Sequence, residues 1–405
     1  MTTPRTTRRR SHAAANDVVL HKASLEMLAT RGLDLFSFSD LAREVGLTRA
    51  PIYSRYDVAI DLWQTTLETV LAEFLEANQR WHGGEDPVPA GLLSAYTKPS
   101  SELSAAVEVL AVARRFPSLQ DITRSSLERL IDSYVAATDG PRSLAVAQIS
   151  VAVGSVFLAP FLGPTEPGGW KSSLPILREF LSDRSVWDLP TVRSEPFEIP
   201  LIVETGTDDV FEMFLPSIIR VIARTGYEHA TTTRISREAG HAFNTLYEQF
   251  DSKEQLMERV VQHWVEAGIL LAITPFIGVT PEEYVQRSVG SARSLTADAN
   301  RTFRNLRNEM LLAARHHPSI GKATARRFRG AVSDSRSLFE ASYRVVSDEN
   351  MIEVARFSSL VRANGVGLCL LASVTPTLVD VDWTAASTAL QQVLWARLFG
   401  RLTPR

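Results

Sequence analysis

Apolar residues recur at helical spacing along most of the chain, and no stretch sustains the apolar/polar alternation that indicates a β-strand. Near the start, Leu25 and Leu28 lie on one helical face. In the second half, Ile219 and Ile222 lie on the corresponding face. The pattern predicts an all-α protein in which both faces are buried.

The pattern of the first half recurs 194 residues later. Between 32–62 and 226–256 the identical pairs are Gly32/Gly226, Arg43/Arg237, Glu44/Glu238, Gly46/Gly240, Tyr53/Tyr247, Asp57/Asp251 and Leu62/Leu256. A second echo, ARRFPSL at 113–119 and ARHHPSI at 314–320, has an offset of 201. So long a period indicates a duplicated domain, because solenoid units span only about 20–50 residues.

The duplication predicts two tandem units joined by a linker, and the linker is expected where prolines are frequent and helical periodicity is lost. Each unit is expected to have an N-terminal helix-turn-helix head and a helical regulatory and dimerisation body. The segments are the first head (1–62), the first body (63–188), the linker (189–206), the second head (207–256) and the second body (257–405).

Each head carries local signals for short helices. Gly32 and Gly226 are placed to end the first helix, since glycine adopts a left-handed backbone at little cost. Ser37 and Thr231 are expected N-caps of the next helix, and Asp40 gives the first head a start like a capping box.

A second short helix is expected at 48–56 and at 242–250, after the turn glycines Gly46 and Gly240. Two short helices joined by a tight glycine turn are typical of a helix-turn-helix, whose second helix fits the major groove of DNA. Tyr56 and Phe250 are expected to be core residues.

The second copy resembles the TetR/AcrR family of transcriptional regulators, whose motif reads V-S-x-G-T-L-Y-x-H-F-x-S-K-E-x-L. In HAFNTLYEQFDSKEQL, residues 241–256, the matching residues are Thr245, Leu246, Tyr247, Phe250, Ser252, Lys253, Glu254 and Leu256. The first copy, LTRAPIYSRYDVAIDL at 47–62, keeps Thr48, Tyr53 and Leu62 and has Tyr56 for the phenylalanine. Two such units in one chain resemble the tandem regulators that form a minority of the family.

The resemblance implies DNA contacts from the starts of the two short helices. In the first head the implied residues are Ser37, Ser39, Thr48, Arg49, Ala50, Pro51, Tyr53 and Arg55. In the second head they are Thr231, Thr233, Asn244, Thr245, Tyr247, Gln249 and Lys253. The tyrosines and Lys253 would bind phosphate, with core packing as the alternative for the tyrosines, while Arg, Asn and Gln have the paired groups that read bases.

The resemblance further implies a ligand-responsive repressor of double-stranded DNA. Two non-identical heads in one chain would form an intramolecular pseudo-dimer on an imperfectly palindromic or asymmetric operator. Further homodimerisation stays open. No cofactor is expected apart from a small apolar effector, whose site and identity the sequence does not assign.

Charge divides the two copies. Residues 1–60 hold nine Lys/Arg and six Asp/Glu, whereas residues 205–260 hold six and nine, within a chain of net charge −3. Because phosphate neutralisation dominates DNA affinity, the first head is expected to bind DNA better. The alternative is that only this head binds DNA and the second is a protein-interaction or structural module. The tract Arg8–Arg10 is either a DNA-binding arm or a solvated tail.

Other classes of protein have weaker support. The chain has no GxSxG, HExxH, CxxC or phosphate-cradling glycine loop, so we expect no enzyme, although an enzyme without a readable motif is a less favoured alternative. Neighbouring histidines do not share a helix face, and no metal is expected at His316 and His317. The single cysteine, Cys369, is expected to be a buried free thiol in a protein of the reducing cytoplasm. The apolar stretches 144–163 and 363–379 are interpreted as buried or interface helices rather than membrane spans.

Overall fold

The computed structural model describes residues 4–48, 52, 63–64, 66–84, 88–89, 91–162, 170–182, 194–201, 210–242, 245, 248, 250–273, 279–326, 328 and 347–375. Within these residues, helices are the only regular secondary structure. The prediction of an all-α fold is therefore confirmed.

In the first half the helices are α1 (Pro4–Arg31), α2 (Phe38–Glu44), α3 (Ala72–His82, continuing a π-helical turn at Leu67–Leu71), α4 (Leu92–Thr97), α5 (Ser101–Val112), α6 (Pro117–Thr138), α7 (Arg142–Leu158) and α8 (Trp170–Ser182). In the second half they are α9 (Val210–Thr225), α10 (Thr232–Ala239), α11 (Lys253–Ile273), α12 (Pro281–Thr296), α13 (Arg301–His316) and α14 (Asp348–Val374). Short 3-10 turns lie at Leu33–Leu35, Ala113–Arg115 and Asp298–Asn300, and a further helical segment covers 318–326.

Helices α1 and α9 end at glycine, as predicted. The amide of Gly32 donates to the carbonyl of Leu28 and the amide of Gly226 to that of Ile222, both at 2.9 Å. The two glycines have φ of +76° and +85°, a left-handed backbone that costs other residues about 1–2 kcal/mol. The predicted apolar faces are also confirmed: Leu25, Leu28, Ile219 and Ile222 are all buried.

The apolar stretches form buried helices, which confirms their interpretation. Every residue of α7 from Ser143 to Leu158 is buried, as are residues 363–375 at the end of α14, including Cys369. Among the described residues no single helix is long and apolar enough to cross a membrane, while the bent pair of α6 and α7 meets the length and composition together.

Helices α7 and α14 pack directly against each other at a seam between the two halves. A Cβ atom at Gly154 would lie 1.9 Å from the carbonyl oxygen of Ala363, and a Cβ atom at Gly367 would lie 1.8 Å from that of Ser150. The two contacts exchange residues that stand 213 positions apart. Equivalent helices that meet about a two-fold axis produce such an exchange.

The described part of the linker, 194–201, lies against the second body without regular secondary structure. The amide of buried Asn300 donates to the carbonyl of Phe197 at 2.8 Å and accepts from the backbone N–H of Ile199 at 2.7 Å. Ser294 accepts from the backbone N–H of Phe197 at 2.8 Å. These contacts fix the chain shortly before the second head begins.

The heads differ in how they join the core. In the first head, one side of α1 packs into a small separate cluster, whose buried members are Leu20, Met27, Leu41, Ala42 and Ile52. The other side, with Leu25 and Leu28, belongs to the main core. In the second head the buried apolar residues of α9 and α10 belong to the main core.

Candidate nucleic-acid interface

In the first head, α2 begins at the predicted N-cap. Ser37 accepts a hydrogen bond from the backbone N–H of Asp40 at 3.1 Å, and its hydroxyl donates to the Asp40 carboxylate at 2.8 Å. The hydroxyl therefore satisfies one of the amides at the start of α2, in place of a full capping box. The same side-chain hydrogen bond lowers the pKa of Asp40.

The second head repeats this anatomy. Thr231 caps α10 by accepting from the backbone N–H of Arg234 at 3.3 Å, and α10 ends at Gly240 in the left-handed conformation. The ring of Phe250 packs edge-on against Phe211 of α9, with centroids 5.9 Å apart. The prediction that Phe250 is a core residue is confirmed.

Each head ties its first helix to its second through the same repeat position. Glu44, at the end of α2, lies 3.6 Å from Arg31 of α1. Glu238, in the last turn of α10, lies 3.1 Å from both Arg220 and Arg224 of α9. Hydrogen bonds from these two arginines lower the pKa of Glu238. All of these pairs are at least partly exposed, so they set helix orientation more than stability.

The structure places part of the implied DNA-contacting set. Ser37 and Thr231 are the caps; Thr48 and Thr233 are exposed, and Ser39 and Thr245 are partly exposed. Outside the described residues lie Arg49, Ala50, Pro51, Tyr53, Arg55, Tyr56, Asn244, Tyr247 and Gln249. The DNA roles of all these residues stay predictions. The backbone of the tract Arg8–Arg10 is part of α1.

Lys253, at the start of α11, is held by the loop that follows α9. Its ammonium group donates to the carbonyls of Tyr227 at 2.6 Å and Glu228 at 3.1 Å, and lies 4.1 Å from the centre of the Tyr227 ring. Burial lowers its pKa. The phosphate contact implied for Lys253 stays a prediction, and any phosphate would share the three N–H donors with these carbonyls.

Beneath the heads lies a junction of buried charges, built from two carboxylates that each bind side chains of the other half. The first is Glu309 of α13, which accepts from Arg114 at 2.5 Å and lies 3.3 Å from Nε of Arg115. All three side chains are less than one-tenth exposed. Burial raises the pKa of Glu309 and lowers that of Arg114, while their mutual attraction opposes both shifts.

The second carboxylate is Glu108 of α5, which reverses the arrangement. It accepts from Arg315 at 2.8 Å and lies 2.9 Å from Nε2 of His316. Glu108 and Glu309 stand 201 residues apart, as do Arg114 and Arg315. Each half thus supplies the carboxylate for the base of the other, and the exchanged pair repeats the local two-fold relation of the seam.

Arg115 extends this junction into both heads. Its Nη1 lies 2.8 Å from each carboxylate oxygen of Asp34, just after α1, and 3.4 Å from the carbonyl of Thr225 at the end of α9. The side chains of Arg115 and Asp34 are 6% and 7% exposed. A cation at the C-terminal end of a helix is favourable because the last carbonyls carry partial negative charge.

His316 occupies the repeat position of Arg115, 201 residues later, and lies against Gly32 of the first head. A Cβ atom at Gly32 would meet the His316 ring at 3.0 Å, whereas a Cβ atom at Gly226 would meet Nη1 of Arg115 at 2.2 Å. Each glycine that ends a first helix therefore also makes room for a base from the opposite half.

The second head has one further attachment. His317 lies 2.6 Å from the carboxylate of Glu228, and its ring packs edge-on against Tyr227. The hydrogen bond with His317 lowers the pKa of Glu228. The corresponding carboxylate of the first head is Asp34, 194 residues earlier, which binds Arg115 and lies 3.6 Å from His229.

Sequence reasoning missed this junction. The echo of ARRFPSL and ARHHPSI marked the position, but nothing local assigned partners to its basic residues. His316 and His317 were considered only as metal ligands, and no carboxylate stood near them in sequence. The fold brings Glu108 and Glu228 to them from 208 and 89 residues away.

Comparison with known proteins gives one family match. Residues 215–260 match the family model described as bacterial regulatory proteins, tetR family. The matched range runs from the middle of α9 through α10 into α11. The chain has no match among the curated proteins. The family match supports a DNA-binding regulator of the tetR family.

Proposed function

We propose that this protein is a ligand-responsive transcriptional repressor that binds its operator with two non-identical helix-turn-helix heads carried on one chain. The observation that carries the proposal is the match of residues 215–260 to the tetR family of bacterial regulators. This match covers the second head alone. The first head enters the proposal through its structural likeness to the second.

That likeness consists of matching details at equal spacing. Ser37 and Thr231 cap the second helix of their heads. The glycines at the ends of the helices have positive φ in both heads, and Glu44 and Glu238 bind arginines of the first helix. Two segments with the same caps, turns and helix-to-helix ion pair are good candidates for the same use.

An intramolecular pseudo-dimer is the arrangement that we propose for the two units. Its support is the exchange of residues at the seam of α7 and α14 and at Glu108 and Glu309. Single-unit regulators reach such an arrangement by dimerisation, which gives two identical heads. Two different heads would select an imperfect palindrome or an asymmetric site. A further homodimer of the whole chain would be compatible with this site.

The effector is proposed by resemblance alone. A small apolar molecule would relieve repression if it bound the DNA-incompetent conformation more tightly than the competent one. We propose a cytoplasmic protein that acts on chromosomal DNA.

A second candidate function has its own support. The second head carries net negative charge over 205–260, and its apolar residues are part of the main core. Both features suit a structural or protein-binding module better than a DNA-binding one, since affinity for DNA depends on phosphate neutralisation. In this version only the first head binds DNA.

The experiment that separates these versions is a DNA-binding measurement across a salt series, with DNA from upstream of the protein's own gene. The variants are Tyr53→Ala and Tyr247→Ala, which occupy the same repeat position. If both heads bind phosphate through these tyrosines, each variant loses affinity at every salt concentration, while the dependence of log K on log salt changes little because tyrosine is uncharged. A loss from Tyr53→Ala alone supports the single-head version, and wild-type protein without salt-dependent binding overturns the regulator proposal.

A further inference from the structure

We propose that Arg115 is a positioning residue that fixes the two heads relative to each other and thereby sets the half-site spacing that the protein accepts. The inference rests on the proposed function for its DNA consequence. The geometric part, a fixed relation between the heads, stands on the contacts of Arg115 alone.

Arg115 contacts segments from both halves of the chain. Arg115 belongs to the first body, binds both carboxylate oxygens of Asp34 in the first head, and reaches the carbonyl of Thr225 in the second head. Its Nε lies 3.3 Å from Glu309 of the second body. One planar guanidinium group thus joins four segments of the chain. The hydrogen bonds to Asp34 and to Thr225 all come from Nη1, so the two heads share one nitrogen atom of the group and a shift of either head would disturb its bond to the other.

The side chains that form these contacts are buried. The side chains of Arg115, Asp34 and Glu309 are 6%, 7% and 1% exposed. Water therefore does not compete for these contacts, and a displaced carboxylate would be left buried without its partner. The exposed ion pairs inside each head, such as Arg31 with Glu44, lack this property.

The contacts of Arg115 with the heads lie at the ends of α1 and α9. Asp34 follows the glycine that ends α1, and Thr225 precedes the glycine that ends α9. The ends of both first helices therefore meet at one side chain. A small rotation of either head about this point would move the helix-turn-helix that follows it. Because two heads on DNA must match half-sites at a defined distance, such rotations would change the accepted spacing.

Arg114 provides a matched control. It is the neighbouring arginine, it is equally buried, and it binds the same carboxylate of Glu309 at 2.5 Å. Among the described residues its ion-pair partner is Glu309 of the second body rather than a residue of either head. Loss of Arg114 removes a buried charge pair without removing a link between the heads.

The first test needs no DNA. Spin labels are placed at Val19 and Met213, which occupy the same repeat position on α1 and α9 and are 52% and 42% exposed. Cysteines are introduced there in a Cys369→Ala background, and the distance distribution is measured by double electron–electron resonance. We expect one narrow distribution for the unsubstituted Arg115 protein and for Arg114→Ala, and a broad or shifted one for Arg115→Ala. An unchanged distribution in Arg115→Ala would overturn the proposal.

The second test uses operator DNA selected by the wild-type protein from a random library. One base pair is then added to or removed from the middle of the site. We expect wild type and Arg114→Ala to lose at least about tenfold in affinity on either change, and Arg115→Ala to lose only about two- to threefold. Retention of the wild-type spacing profile by Arg115→Ala would contradict the proposal. A wild type that selects no DNA removes the spacing consequence and the proposed function, while the label distances still decide the fixed relation.

Asp34→Asn is a second test of the same link, for use if Arg115→Ala does not fold. It keeps the shape of the side chain and weakens two contacts of the first head, the pair with Arg115 and the approach to His229 of the second head, while the contacts of Arg115 with Thr225 and Glu309 remain. The expected result is a broadened distance distribution and a relaxed spacing profile, with a thermal melt close to that of Arg114→Ala. A melt close to wild type together with an unchanged distribution would count against the role of Arg115.

Discussion

The two heads have the same anatomy and different attachments. The first carries net positive charge, packs part of α1 into a separate small core, and is held by a buried Arg–Asp pair. The second carries net negative charge, shares the main core, and is held by a His–Glu pair, while Lys253 connects the start of α11 to the loop after α9 within the head. Matching caps and turns thus coexist with different anchors. The repeated motif fixes local geometry, while the surrounding charges decide how firmly each copy is held.

We expect the largest stability difference between the two halves at the two buried carboxylates. Glu309→Gln should cost about 3–5 kcal/mol of unfolding free energy, because buried Arg114 then loses its counter-charge and Arg115 keeps only that of Asp34. Glu108→Gln should cost less, since Arg315 keeps its hydrogen bond to the carbonyl of Phe157 at 2.9 Å. Urea unfolding at neutral pH measures both.

Glu26→Gln is the control for that pair of variants. Its partner Lys22 is an exposed i,i+4 neighbour, so the expected change is close to zero. Equal losses from Glu309→Gln and Glu108→Gln would show that the two carboxylates are energetically alike, and would remove this part of the difference between the halves.

Alanine substitutions at four glycines test how closely each head contacts the opposite half. Gly46→Ala and Gly240→Ala should each cost about 1–2 kcal/mol, because both positions have positive φ and open space around them. Gly226→Ala should cost more than Gly240→Ala, since the new methyl group must displace the Arg115 guanidinium. Gly32→Ala should also cost more than Gly46→Ala, because the new methyl group meets the His316 ring at 3.0 Å and the backbone at Gly32, with ψ of 167°, lies in a region nearly restricted to glycine.

Thermal unfolding of all four variants measures these costs. All four positions have positive φ, but Gly32 has ψ of 167° whereas Gly240 has ψ of 17°, so the contact with the opposite half is judged from the pair Gly226→Ala and Gly240→Ala. If Gly226→Ala and Gly240→Ala lose equal stability, Arg115 is free to move aside, and its role as a fixed link would be contradicted as well.

The caps test whether a separate core makes the first head more independent. Ser37→Ala and Thr231→Ala should each cost about 1 kcal/mol. We expect the loss from Ser37→Ala to stay in α2 and its small core, and the loss from Thr231→Ala to extend into the main core. Amide hydrogen exchange resolves the two outcomes, and equal spreading in both variants would speak against an independent first head.

We expect the smallest effect on the unfolding free energy at low pH. The pKa of Glu228 is lowered by its hydrogen bond with His317, so the folded state is favoured above the ordinary glutamate pKa. That contribution is lost as pH falls below about 4.5 and through the lowered pKa. Glu228→Gln should therefore lose less unfolding free energy than wild type between pH 5 and pH 3. His317→Ala should behave similarly, and a wild-type slope in both variants would contradict the assignment.

Much of the local structure was readable from the sequence. The glycines that end α1 and α9, the caps Ser37 and Thr231, and the buried face that contains Leu28 are all set by residues within a few positions of each other. Backbone conformation and capping are local properties, so one sequence is enough to predict them.

The charged junction could not be predicted in the same way. Glu108 lies in an apolar helical stretch and Glu309 follows a polar one, and neither carboxylate has a neighbour in sequence that indicates its partner. Their partners lie 207 and 195 residues away, and only the packing of the two halves brings them together. The offset of 201 between the echoed motifs was the available signal, and it indicated equivalence without indicating exchange.

The glycine seam of α7 and α14 has a genetic consequence. In an assembly of two identical chains, every codon change at the interface appears on both sides at once, and must be tolerated twice. Here Gly154 and Gly367 belong to one reading frame, so each side of the seam can mutate alone and be compensated by the other. The two halves are also always synthesised in equal number. With the tandem units that we propose, one unit could change while the other keeps its function.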